Sequence, residues 1–288
     1  MSPTMKNSTV LIVIGDDAPL SELATKLETL RPLSARAIVL ILGEIPVFPY
    51  YASGMPLYGT TDVPLDWQSD VAEKKAAVEA RAKEVEALLQ QHGVSGEVSA
   101  AACEPPKVAE LVARHAMLCD LVLVGHDLRQ RETLFQQSVF GVLFQSPVAA
   151  LLNDPDAIAL NGPRRVFVAW NSHLSSARAV HLALPLLRAA EEVIVGTVDP
   201  VKTEFREGED PGVDVAKWLT HHGCKVTVQQ YPSGGQDVGQ CILDRSNEAG
   251  AELIVMGSYG HSRMRQAIFG GTTRTMIEQT GQAVLLAH

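Results

Sequence analysis

Four glycines and two threonines towards the C-terminus have the types and the spacing that could bind a phosphate group. They follow an apolar run, Leu253–Met256, which is too short for a helix of its own and reads as a buried strand. The pattern after this run is G-x2-G-x9-G-G-T-T, and it consists of Gly257, Gly260, Gly270, Gly271, Thr272 and Thr273. Glycine permits positive φ and lacks the Cβ that would hold a phosphate away from the backbone. Free N–H groups at such a turn, and at the start of a helix near Thr272, favour an anion, and the threonine hydroxyls add donors.

A structural role for these glycines is the alternative, because glycine pairs also cap helices and form tight turns. The position directly after a buried strand favours the phosphate interpretation, since doubly wound sheets bind their ligands there. The pattern is neither the G-x4-G-K-[ST] loop of many NTPases nor the G-x-G-x-x-G dinucleotide fingerprint.

The glycine spacing resembles the nucleotide-binding pattern of the universal stress proteins. That pattern ends in a glycine followed by Ser or Thr, and here Gly271 takes the Ser/Thr place. The resemblance covers residues 164–288 well and residues 9–153 as a degraded copy. It implies a stress-response protein that binds ATP or AMP in its C-terminal half, with Mg²⁺ supplied by solvent.

The resemblance also implies further site residues. The first strand of the C-terminal half ends at Ala169, and the family usually carries Asp where Asn171 stands, in contact with the nucleoside. Asn171 suits a helix cap equally well. Backbone groups at the end of the family's second strand hold adenine, which maps onto Val198. Between the glycines, His261 and Arg263 are either phosphate contacts or surface charges.

No carboxylate pair and no Ser/His/Asp set is evident, so the sequence names no catalytic residue and predicts at most slow ATP hydrolysis. A second hypothesis is a regulatory module of the same fold that binds no nucleotide. Its protein partner would dock on the proline- and aromatic-rich segment Gly43–Ser69, which reads as a long loop. A third is a transferase of the wider adenine-binding superfamily.

The composition narrows the possible partners. The chain has 288 residues, 46% of them hydrophobic and 20% charged, and a formal net charge of −9. With only 5% aromatics and no basic cluster, nucleic acid and anionic membranes are not expected partners. No run approaches ~20 apolar residues, so we expect a cytoplasmic protein. The four cysteines form no C-x-x-C pair, which favours buried thiols over disulfides or zinc.

Strands alternate with helices twice along the chain, which predicts an α/β fold of βαβ units. The run Asp120–Gly125 matches Glu252–Gly257, so the chain is an internal duplication. We predict two tandem, doubly wound domains with five-stranded parallel sheets, at residues 1–153 and 164–288, joined by a linker at 154–163.

The N-terminal half has lost the phosphate-binding glycines. Leu128 replaces the second glycine, so we expect no nucleotide in this half. Asp16 and Asp17, which follow the first strand, are either relics of a site or caps of the next helix, and we favour caps. The family resemblance implies that the last strands of the halves, near Val148 and Val284, meet across a pseudo-twofold axis. It also suggests a homodimer of the whole chain.

Overall fold

The computed structural model describes residues 5–46, 65–201, 210–258 and 270–288. Three residues predicted for the binding site, Gly260, His261 and Arg263, lie outside these ranges. So does most of the segment Gly43–Ser69 that was predicted to dock a protein partner.

The first half alternates strands and helices as the sequence predicts. Its elements are β1 Thr9–Gly15, α1 Leu20–Leu30, β2 Arg36–Glu44, α2 Leu65–His92, β3 Gly96–Cys103, α3 Pro105–Ala116, β4 Leu121–Val124, α4 Glu132–Gln145 and β5 Ala150–Leu152. A 3₁₀ turn, His126–Gln130, connects β4 to α4 and is called the 126–130 turn below.

The second half repeats the same order. Its elements are β6 Arg165–Ala169, α5 Leu174–Ala189, β7 Glu192–Val198, α6 Val213–His221, β8 Val226–Tyr231, α7 Val238–Glu248, β9 Leu253–Gly257, α8 Gly271–Glu278 and β10 Ala283–Ala287. Each half thus contributes five strands to the described structure.

The ten strands form one sheet in the order β3-β2-β1-β4-β5-β10-β9-β6-β7-β8. All neighbours within a half are parallel, whereas β5 and β10 pair antiparallel with Leu151 opposite Leu285. The predicted pair of doubly wound five-stranded units is confirmed, and so is the meeting of their last strands. The antiparallel pairing relates the halves by a pseudo-twofold axis.

The core lies on both faces of this sheet and continues across the junction between the halves. Leu151 and Leu285 belong to one apolar cluster, and Leu152 and Val284 belong to the cluster on the opposite face. Because helices cover both faces, central strands such as β4 and β10 are buried along their whole length. This explains why the strands appear in the sequence as continuous apolar runs.

The predicted loop Gly43–Ser69 is too long. Gly43 is the penultimate residue of β2, and α2 begins at Leu65, inside the predicted loop. Asp66 in the first turn of α2 suits the positive end of the helix dipole. The sequence prediction missed this turn because its residues lack apolar periodicity.

All four cysteines are free thiols, and Cys119, Cys224 and Cys241 are buried. Burial raises the pKa of the Cys119 thiol to about 11. No group of three His, Cys, Asp or Glu side chains suited to a metal ion occurs among the described residues. Within the same part of the chain, no helix combines the length and the apolar character that crossing a bilayer requires.

Candidate functional site

A cleft of about 340 Å³ opens at the carboxyl ends of β6, β7 and β9. It lies where the strand order reverses between β6 and its neighbour β9, which is where doubly wound sheets bind ligands. Its volume is at the lower end of the range for small-molecule sites. The cleft is lined by Ala169, Trp170, Asn171, His173, Ser176, Gly196, Val198, Val238, Ile242, Met256, Gly257 and Thr272.

The cleft brings together five of the residues that the sequence predicts for a binding site, namely Ala169, Asn171, Val198, Gly257 and Thr272. Gly270 and Gly271 lie beside it, because they form the N-cap and the first residue of α8. Thr273 is fully buried and does not line the cleft.

Sequence reasoning missed the apolar wall of the cleft. Val238 and Ile242 are four residues apart and therefore share one face of α7, which points into the cleft. Met256, one residue before the strand end at Gly257, completes the wall. The i,i+4 spacing on α7 could have revealed two of these residues, but it is equally typical of an ordinary core face.

Three helices begin at this cleft. His173 and Ser176 from the start of α5, Val238 from the start of α7 and Thr272 from the start of α8 are all lining residues. The first N–H groups of a helix have no partner within the helix and carry partial positive charge. Three such ends around one cleft create an environment that favours an anion.

Side chains accept hydrogen bonds at the starts of two of these three helices. Asp237 accepts from the Gly239 and Gln240 N–H groups at the start of α7 (2.9 and 3.2 Å). The Asn171 Oδ1 accepts from the Ser176 hydroxyl (2.6 Å) and the His173 N–H (3.3 Å), so Asn171 holds the start of α5. The N-cap residue of α5 is His173, and no cap hydrogen bond from its side chain is formed, so Asn171 orders the turn before α5 and the helix-cap interpretation of Asn171 is wrong.

Helix α8, like α5, begins without a cap hydrogen bond from the side chain of its N-cap residue. Its N-cap residue is Gly270, which has no side chain to accept a hydrogen bond. Among the residues that the structure describes, a Cβ added at Gly271 would meet only the Asp237 Oδ2, at 3.8 Å. Asp237 already accepts from the first N–H groups of α7, and Gly257 packs against the first turn of α5, so the start of α8 is the best of the three helix ends for an external anion.

Gly257 has a different environment from Gly271. A Cβ at Gly257 would lie 2.4 Å from the Ser176 nitrogen and 2.5 Å from the Ser175 carbonyl carbon. These are backbone atoms of α5, so the packing of α5 on the end of β9 requires glycine here. Packing alone is therefore enough to explain a glycine at position 257, in agreement with the alternative that the glycines of the pattern have a structural role.

The start of α8 carries the positive end of a helix dipole and lies near the Asp237 carboxylate. Among the described lining residues there is no lysine or arginine. The Asp237 carboxylate, 3.8 Å from where a Cβ on Gly271 would lie, would repel a second anion at the start of α8. A ligand with several negative charges would therefore bind more tightly together with a cation.

A comparison with protein families matches the C-terminal half. The family described as "Universal stress protein family" matches residues 163–288, which contain the whole cleft. We call residues 163–288 the universal stress domain below, after the family that they match. A search of curated proteins finds no significant match.

Solved universal stress proteins share the fold of the whole chain. A universal stress protein from Archaeoglobus fulgidus is 17% identical, with a TM-score of 0.65, over 98% of this chain and 97% of that one. A putative universal stress protein from Pseudomonas aeruginosa is 13% identical, with a TM-score of 0.56, over 99% and 94% of the two chains. At these identities the likeness concerns the fold.

The N-terminal half fills the region that corresponds to the cleft of the universal stress domain with its own side chains. The Asp127 Oδ2 accepts a hydrogen bond from the Gly15 N–H at the end of β1 (2.6 Å). Asp16 forms ion pairs with Lys74 (2.9 Å) and Arg131 (2.5 Å). The interpretation of Asp16 and Asp17 as helix caps is wrong, because Asp17 also pairs with Arg131 (2.6 Å) and α1 begins after Pro19 without a side-chain cap.

The carboxyl groups of Asp16 and Asp127 differ in pKa. Burial by itself raises the pKa of Asp16, but the hydrogen bonds and charges of Lys74 and Arg131 outweigh it and hold the pKa below its usual value. Burial raises the pKa of Asp127, although the Gly15 N–H donates to it. Asp16 is thus stabilised as a carboxylate, whereas Asp127 is not.

Proposed function

We propose that the universal stress domain binds an adenine nucleotide, ATP or AMP, in the cleft and acts as a stress-response protein. The observation that carries this proposal is the convergence of three helix N-termini on one cleft that also has an apolar wall. An aromatic base and an anionic group need these two environments side by side. The match of residues 163–288 to the universal stress protein family supports the same ligand class.

The two environments suggest how the ligand lies. Val198, Ile242 and Met256 offer an apolar surface for the base. Phosphates would lie at the start of α8, on the N–H groups near Gly271 and Thr272, where no side chain caps the helix. The family resemblance implies that backbone groups at the end of β7 hold the adenine base. One nearby group, the Asp199 N–H, already donates to the Tyr231 carbonyl (3.0 Å), so this donor is used within the chain.

Mg²⁺ has a defined role in this proposal. The Asp237 carboxylate lies close to the start of α8, so a free polyphosphate would meet a like charge there. A magnesium ion carried by the phosphates would offset this repulsion. No side chain in the described cleft is placed as a nucleophile with an adjacent base, and we therefore propose binding without rapid turnover.

The first test is the ligand itself. We expect mass spectrometry of small molecules released from the purified protein to find an adenine nucleotide, and calorimetry to show binding of Mg·ATP. Gly270→Val should abolish both, because a branched side chain at the N-cap of α8 would cover its N–H groups. Gly281→Val is the matched control, since a Cβ at Gly281 meets no atom of the described ranges within 4 Å and this residue lies beyond the other end of α8.

The same test distinguishes nucleotide binding from the alternative function, a regulatory module that binds no nucleotide. If wild-type protein releases no nucleotide and gives a flat titration with millimolar Mg·ATP, the nucleotide proposal is wrong. The regulatory module without nucleotide then becomes the better hypothesis. Loss of binding in both glycine variants would instead indicate general damage to α8.

A gain-of-function variant gives a second prediction. Gly271→Ser should tighten Mg·ATP binding about fivefold, since it adds one hydroxyl donor at the helix start, worth about 1 kcal/mol net. Gly271→Ala adds the same Cβ without the hydroxyl and should leave the affinity unchanged. Calorimetric titrations of the three proteins provide the measurement, and equal affinities for Ser and Ala would contradict a phosphate contact at this position.

A further inference from the structure

Arg129 connects the N-terminal half to the far end of α8. It lies in the 126–130 turn, and its Nη2 donates to the Ile277 carbonyl (2.7 Å) and to the Gln279 carbonyl (3.1 Å). Ile277 is in the last turn of α8, and Gln279 is its C-cap residue. A cation of one half therefore caps the carboxyl end of a helix of the other half.

The Arg129 side chain is fixed from several sides. Its Nε and Nη2 donate to the Asn153 Oδ1 (3.1 and 2.7 Å), and its guanidinium lies 4.3 Å from the centre of the Phe135 ring. The buried Asn153 in turn donates from its Nδ2 to the Gln279 carbonyl (2.8 Å). The contact at the end of α8 is thus part of a rigid network and not a mobile surface pair.

The 126–130 turn and its flanking residues make contacts in both halves of the chain. Asp127 and Arg131 close the region of the N-terminal half that corresponds to the cleft, because they bind the end of β1 and Asp16. Arg129, between them in the sequence, reaches across to α8. The segment that lost its ligand-binding glycines therefore supports the half that keeps them.

Helix α8 needs such support. It has only eight residues, and isolated helices of this length are unstable in water. Its last carbonyls have no partner within the helix, and a cation there offsets the negative end of the helix dipole. The opposite, positive end of the same helix begins beside the cleft.

We propose that Arg129 is a positioning residue for nucleotide binding: it fixes the carboxyl end of α8 so that the first turn of α8 stays in place for the phosphates. This inference rests on the proposed nucleotide function. It makes the affinity of the C-terminal cleft depend on a residue of the N-terminal half that touches no ligand.

The experiment compares Arg129→Gln with Arg131→Gln and Arg129→Lys in the full chain. The first readout is hydrogen exchange of the amides of residues 271–276 without nucleotide, and the second is calorimetric binding of Mg·ATP. We expect Arg129→Gln to speed exchange in α8 and to weaken binding, each about tenfold. Arg129→Lys keeps the charge and should recover part of both effects.

Arg131→Gln is the matched control, since it breaks the ion pairs with Asp16 and Asp17 close to the same turn but does not contact α8. It should lower the stability of the N-terminal half and leave α8 exchange and affinity at the wild-type values. Unchanged exchange in Arg129→Gln, or an equal change in Arg131→Gln, would overturn the inference. If wild-type protein binds no Mg·ATP, the proposed function fails, and the exchange measurement alone then decides the role of Arg129.

Discussion

Gly257→Ala will destabilise the chain by about 3 kcal/mol, although alanine is the smallest possible side chain. The added Cβ would lie 2.4 Å from the Ser176 nitrogen, and only a shift of α5 away from β9 could relieve the contact. Overpacking of this kind typically costs about 1–3 kcal/mol, and the upper end applies here because the opposing atoms are backbone. Urea unfolding followed by circular dichroism measures the change.

Gly271→Ala is the matched control for this prediction. It makes the same substitution in the same glycine pattern, but the new Cβ takes the first position of α8 and meets no described atom closer than the Asp237 Oδ2 at 3.8 Å. Alanine favours a helix over glycine by up to about 1 kcal/mol, so stability should stay the same or rise. Equal losses in both variants would contradict the distinction between a packing glycine in β9 and the glycine at the start of α8.

Asp16→Asn will cost about 2–3 kcal/mol at pH 7, whereas Asp127→Asn will change stability by less than about 1 kcal/mol. The Asp16 side chain is only 5% exposed and pairs with Lys74 and Arg131. Removing one member of a buried ion pair leaves the other charges without compensation, and the partial exposure of Lys74 and Arg131 moderates the loss. In Asp127→Asn, the new amide oxygen would still accept a hydrogen bond from the Gly15 N–H.

The pH dependence of the two variants differs in sign. Because the folded pKa of Asp16 lies below its usual value of 3.8, its contribution is present above about pH 4 and is lost as the pH falls through the folded pKa. The difference in the free energy of unfolding between wild type and Asp16→Asn should therefore shrink as the pH falls. The folded pKa of Asp127 is raised, so its carboxylate costs stability above that pKa and costs none in acid.

Urea midpoints between about pH 3 and pH 8 test this pair of variants. Asp16→Asn should have the lower midpoint at neutral pH and approach wild type near the acid end of this range. A difference in urea midpoint that stays constant over the whole pH range would show that Asp16 acts through its shape and not through its charge. A large loss for Asp127→Asn at neutral pH would contradict the weak role assigned to that carboxylate.

The strands could be predicted from the sequence because both faces of the sheet are covered. Val10–Ile14, Leu121–Val124 and Ala283–Ala287 are continuous apolar runs between polar turns, and each is a strand in the structure. The start of α2 could not be predicted, because its first turn is exposed and carries no apolar period. Burial produces a sequence pattern, whereas an exposed helical turn does not.

The binding site was predictable only where backbone geometry restricts the residue type. Gly257 and Thr272 belong to a spacing that can be read directly, and both line the cleft. Ile242 and Met256 could not be separated from ordinary core residues, since their types and spacing are the same. The partners of Asp16, 58 and 115 residues away along the chain, have no local pattern, so a helix cap was the simplest local interpretation.

The antiparallel contact between β5 and β10 gives the molecule two unlike ends. Because every strand within a half is parallel, this one pairing turns the strands of the halves in opposite directions. The carboxyl ends of β6, β7 and β9 therefore open at one edge of the sheet, and those of β1 and β4, closed by Asp127 and Arg131, lie at the opposite edge. A partner that contacts the ligand directly must therefore approach from the open edge, while one bound at the closed edge could sense the cleft only through contacts such as that of Arg129 with α8.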